Sequence, residues 1–232
     1  MLRNKLFTPL LLAVSCGLVI GQASAATVAL TGTIEPTTCS LTLGTAAVHD
    51  FAYGDISPAS LNNTAMTALA VKTVPLKVTC DAPTRVAIGA VDNKMGSNPF
   101  ASGTVNMSAA GGATDGNAAD MLGLGNDGTG KIGAYSLALV PASMKIDGAV
   151  ATPVRLFGGT GTWAATTNGF IGGATQPGYW RSWATGGAAA PLAGTTFEAD
   201  LAVQPWVNAK SKLDLTHDIL LNGAATIELH YL

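Results

Sequence analysis

Every second residue is apolar in stretch after stretch of this chain. Val28, Leu30, Gly32 and Ile34 share one face of the segment Thr27 to Glu35. Val74, Leu76, Val78 and Cys80 repeat the pattern, as do Val86, Ile88 and Ala90. Tyr135, Leu137 and Leu139 follow, then Met144 and Ile146, then Phe197, Ala199, Leu201 and Val203. Ile227, Leu229 and Tyr231 close the series. Period two over short segments is the signature of half-buried strands. Asp147-Gly148, set between two such segments, is a two-residue hairpin turn, since both residues tolerate positive φ. Charged residues make up only 11% of the chain, against roughly 25% in an ordinary domain. Exposed Glu/Lys helix faces cannot be written with so few charges. The expected fold is therefore all-β: an antiparallel sandwich with long Gly-rich loops.

The first 25 residues are expected to be a cleaved signal peptide. Arg3 and Lys5 precede an apolar run from Leu6 to Ile20, and Ala23-Ser24-Ala25 supplies the small residues of a cleavage site. A membrane anchor would need a longer run. Lipoprotein processing at Cys16 is a further rival, weakened by the apolar Gly17–Ile20 that follows it. The remaining cysteines, Cys39 and Cys80, read as a disulfide in an oxidising compartment. Such a bond is valued at about 4 kcal/mol by chain entropy. The alternatives are two free thiols or a zinc site, but no Cys-x-x-Cys or nearby histidine pair completes one.

Little in the chain reads as chemistry. Gly123, Gly125 and Gly128 fit the form G-x-G-x-x-G, yet no amphipathic helix follows to hold a dinucleotide. Asp120 and Asp127 in the same loop are carboxylates of the kind calcium takes, but their spacing fits no EF-hand. His49, His217 and His230 are scattered, and no nucleophile elbow is present. No enzyme, cofactor or metal is expected. The net charge of -2, with no basic run, gives no nucleic-acid footprint. The cluster Tyr179, Trp180, Arg181 and Trp183 is the one candidate glycan contact, because indole faces stack on sugar rings. Its rival role is to cap the sandwich. The stretches 92–130 and 158–190, rich in Gly, Ala and Asn, read as loops, the first as an insertion with one weak strand near Thr104–Met107.

Three segments together resemble the pilins of the bacterial chaperone–usher system. The first is Val28-Ala29-Leu30-Thr31-Gly32-Thr33-Ile34, followed by Cys39. The second is Val74-Pro75-Leu76-Lys77-Val78-Thr79-Cys80. The third is the ending Gly223 to Leu232, with its penultimate Tyr231. The chain is longer than a typical pilin and is closer to the longer pilin-like proteins of Gram-negative fimbrial gene clusters. The resemblance implies a donor-strand-like extension at 26–36 and an immunoglobulin-like sandwich at 37–232 that lacks its last strand. A periplasmic chaperone would lend that strand, and the extension of a neighbouring subunit would replace it at an outer-membrane usher. Val28, Leu30 and Ile34 would then fill pockets, Gly32 would sit where the groove is shallow, and Ile227, Leu229 and Tyr231 would line the acceptor edge. The implied function is a structural subunit of a surface fimbria supporting adhesion. The alternative is a secreted or tip-located sandwich that binds a host or surface glycan without polymerising.

Overall fold

The computed structural model describes residues 37–47, 49–100, 104–105, 116–117, 120–157, 159–172 and 178–232. The segments 1–25 and 26–36 lie outside those residues, and with them Val28, Leu30, Gly32 and Ile34. Among the described residues there are eight strands of five residues or more. They are β1 (Cys39–Leu43), β2 (Lys72–Thr84), β3 (Val86–Asp92), β4 (Gly133–Leu139), β5 (Thr152–Phe157), β6 (Tyr179–Ala184), β7 (Gly194–Val207) and β8 (Ala225–Tyr231). No α-helix is present among them, only short 3-10 turns.

Two antiparallel sheets result. In the larger, the order is β1-β2-β7-β4, ending on the short strand Phe170–Ile171. In the smaller, Ala164–Ala165 is followed by β5-β6-β3-β8. One apolar core lies between them. Val74, Leu76 and Val78 of β2, Val86 and Ile88 of β3, Trp183 of β6 and Phe197 of β7 all belong to it. The alternation expected along β2 is realised: Val74, Leu76, Val78 and Cys80 are buried and the residues between them are exposed. The hairpin at Asp147-Gly148 also forms, with φ of 49° and 80°. Asp147 Oδ1 accepts the N–H groups of Thr195 and Thr196, which ties this hairpin to the start of β7.

The Cys39–Cys80 disulfide is present. The two residues are direct cross-strand partners in β1 and β2, with Cα atoms 4.0 Å apart. The bond therefore fastens an edge strand to the interior of its sheet.

Two stretches read as loops turn out to contribute packing. Within 92–130, Leu122–Gly123 pairs with β4, and Asn126–Asp127 pairs with Gly130–Lys131. Met121, Leu122 and Leu124 are buried. Within 158–190, β6 supplies the core tryptophan. Paired segments of two residues are too short to show a period, and β6 is aromatic on both faces, so neither announces itself by alternation. The outer face of β4 is covered as well, by a second cluster of Met121, Ala134, Phe170 and Trp206. That explains why all seven residues of β4 are buried.

Candidate functional site

Among the described residues the two sheets do not close on each other along one side. Among the described residues β1 pairs only with β2, and β8 only with β3. Each is thus an edge, with a row of main-chain donors and acceptors facing outward. At one end the edges are pinned together: the Cys39 N–H donates to the Tyr231 hydroxyl at 2.8 Å. The disulfide holds the same end from within the larger sheet.

Away from this pin the edges diverge. β1 ends at Leu43, and Gly44 turns the chain with φ of 63°. The larger sheet's side of the gap is continued by residues 49–53, and the smaller sheet's side by 221–224, just ahead of β8. A cavity of about 300 Å³ opens between them. Leu124, Tyr135, Leu137, Leu201 and Val203 form its floor, all of them core residues. Phe51 and Tyr53 stand on one side, Leu221 and Ile227 on the other. The Tyr53 hydroxyl donates to the Val203 carbonyl at 3.3 Å, and burial pushes its pKa up to about 12. Lys72 caps the Tyr53 ring, with Nζ 4.7 Å from the ring centre.

Burial marks the same line. The half-buried apolar residues packed against the main core include Cys39, Leu41 and Phe51 on the β1 side. Ile219, Leu221, Ala225, Ile227 and Leu229 make up the β8 side. All of these lie along the two facing edges. The alternation 219, 221, 223, 225, 227, 229 runs well ahead of the segment first read as a strand, and His49, Phe51 and Tyr53 show the same spacing. That period was the signal available for the part of the site that sequence reasoning missed. Tyr135 carried no such signal, being one apolar position among three in β4. Of the expected acceptor edge, Ile227 lines the cavity, Leu229 packs against the core, and Tyr231 makes the pin with half its surface exposed.

The candidate glycan cluster is divided by the strand that carries it. β6 sends Tyr179, Arg181 and Trp183 to the inner face and Trp180 to the outer, because successive residues of a strand alternate. Trp183 is fully buried, sits 5.3 Å from Phe197, and donates its Nε1–H to the Glu198 carbonyl at 3.0 Å. Arg181 is 2% exposed and donates to the Asn168 carbonyl, the Asn168 side chain and the Trp180 carbonyl. Burial, aided by the charge of Arg155, pulls its pKa down to about 9. Neither residue offers a surface to a sugar, which corrects that expectation. Tyr179 donates to Asp120 at 2.8 Å and is edged by Phe157 and Phe170. Trp180 stacks on His230 at 3.8 Å, so one indole face is already taken. Gly89 lies beneath both rings, where a Cβ would come within 3.0 Å of each. His230 Nε2 is 3.3 Å from Glu228 Oε2 without hydrogen-bond geometry, and burial lowers the imidazole pKa.

The loop carboxylates are separately engaged: Asp120 with Tyr179, and Asp127 with His217 at 3.0 Å. No group of three or more His, Cys, Asp or Glu residues able to hold a metal ion occurs among the described residues. No described helix is long and apolar enough to cross a membrane.

In comparison with known proteins, a family model described as "Protein of unknown function (DUF1120)" matches residues 28–136. The chain is similar to that family from the alternating segment at 28–34 through Cys39 and Cys80 to Ser136. No curated protein matches the chain.

Proposed function

We propose that this protein is a structural subunit of a surface fimbria, assembled by insertion of one subunit's extension into the open seam of the next. The observation that carries this reading is the seam itself, where two unpaired edges flank an apolar cleft whose floor is the core. Edges and apolar patches left in this state invite aggregation unless something covers them. An extended strand suits the site, because its main chain satisfies the edges while alternate side chains enter the cleft. Residues 28–34 have the required alternation, and they precede β1 in the chain by only a few residues. Val28, Leu30 and Ile34 would fill the cleft, with Gly32 at a shallow point. The link is head to tail, so it propagates into a fibre rather than closing. Before assembly a periplasmic chaperone would cover the seam, an outer-membrane usher would exchange the strands, and the fibre would stand at the cell surface.

The experiment is to shear surface material from expressing cells and run it on an SDS gel, unheated and boiled. The expected result is an SDS-resistant ladder that collapses to monomer on boiling and is absent for Gly32→Leu. Monomer alone in both lanes, despite export, would refute polymerisation.

A further inference from the structure

The cleft floor holds one polar group that no described residue satisfies. Tyr135 is 6% exposed, and its hydroxyl has no hydrogen-bond partner among the described residues. The other floor residues, Leu124, Leu137, Leu201 and Val203, are aliphatic and offer none. The buried carboxylate of Asp92 accepts from the Lys94 N–H at Oδ1 and the Gly123 N–H at Oδ2 and makes no bond to the Tyr135 hydroxyl. Burial, with the Asp92 charge adding to it, raises the phenol pKa, so the hydroxyl keeps its proton and is a donor. Gly223 presses the chain onto this ring: a Cβ there would come within 2.8 Å of Tyr135 Cε1. The ring is thus held in place beside the rim of the cleft, its hydroxyl unpaired.

A buried hydroxyl without a partner is costly. A strand laid in the seam brings main-chain carbonyls to it. Of the four cleft-facing positions in residues 28–34, only Gly32 lacks a side chain to stand between the phenol and the strand's backbone. We propose that Tyr135 sets the register of the seated strand, its hydroxyl donating to the main chain at Gly32 of a second copy of this protein. The inference rests on the reading of the seam as a strand acceptor. It adds that the acceptor selects its strand by a hydrogen bond as well as by apolar fit.

The test titrates the purified chain with a labelled synthetic peptide of residues 27–36, following fluorescence anisotropy, and compares the wild type with Tyr135→Phe. The variant should bind about fivefold to tenfold more weakly, the worth of one hydrogen bond. Its Tm should equal or exceed that of the wild type, because phenylalanine removes the unpaired group. A peptide carrying Gly32→Ala should bind the wild type more weakly, while the same change costs the variant less, a non-additivity expected of groups in contact. Equal binding of the Gly32 peptide by both proteins would overturn the proposal. So would a Tyr135→Phe variant with a lowered Tm and the same proportional loss for both peptides, which would mark a merely structural role. No binding of any peptide by the wild type would be a different failure, that of the seam reading itself.

Discussion

β6 and β8 belong to the same sheet and face the same core, yet they are packed very differently. On β6, Trp183 and Arg181 are buried to 2% exposure or less and their polar groups are satisfied. On β8, Ile227 and Leu229 are only half-buried and Tyr231 is 53% exposed. Side-chain chemistry does not account for this, since isoleucine and leucine are more apolar than arginine. Neighbours do. β6 lies between β5 and β3, whereas β8 has β3 on one side and, among the described residues, no strand on the other. The facing wall, β1, stops after five residues. The difference teaches that, among the described residues, one flank of the sandwich is closed by its own strands while the other presents an edge, the site at which the proposed strand would be received.

Removing the anchor of the finished flank should give the largest effect. Trp183→Ala should destabilise the fold by about 3–5 kcal/mol, read as a lowered midpoint in urea. Ile227→Ala on the open flank should cost far less stability, about 1 kcal/mol for a half-buried side chain, yet should abolish fibre formation. Equal stability losses at the two sites would erase the distinction between the flanks.

Replacing both Cys39 and Cys80 with alanine comes next, at about 2–5 kcal/mol. Because the bond fastens β1, hydrogen exchange in the variant should rise more in β1 than in β5 or β6. A uniform rise would instead mean that the disulfide steadies the whole sandwich without favouring its open edge.

Gly89→Val sharpens the comparison within β8 itself. The added side chain should separate the Trp180–His230 stack on the outer face, at a cost of about 1–3 kcal/mol for overpacking, with peptide binding at the seam retained. Lost binding would indicate that the two faces of β8 are not independent.

The smallest effects are in pH. His230 has a pKa lowered from 6.5, so its stabilising contribution is complete above 6.5 and is lost as pH falls through the folded value. His217 has a pKa raised by its bond to Asp127, so its contribution is complete below 6.5 and is lost as pH rises through the folded value. NMR titration should find the His230 ring titrating below 6.5 and the His217 ring above it.

Much of this architecture was legible in the alternation. β2, β7 from Phe197 to Leu201, and the inner faces of β3, β4 and β8 follow it residue by residue, because each buries one face or keeps the core side distinct. The cysteine pairing was legible because Cys39 and Cys80 lie in no Cys-x-x-Cys motif and have no histidine pair nearby to complete a metal site. β6 was open to two readings for a physical reason. Four aromatic and basic residues close in sequence look like one surface, but a strand splits them between its faces, and the buried half joins the core. The seam was half legible: its β8 side could be read, while the contribution of residues 49–53 and of Tyr135 depends on which strands meet in space.

The most direct measurement is amide hydrogen exchange of the purified chain with and without the peptide of residues 27–36. The two-flank account predicts protection of β8 and of the edge formed by β1 and residues 49–53, with β5 and β6 unchanged. Protection spread evenly over both flanks, or none at all, would contradict the claim that the seam is where a second copy of this chain is received.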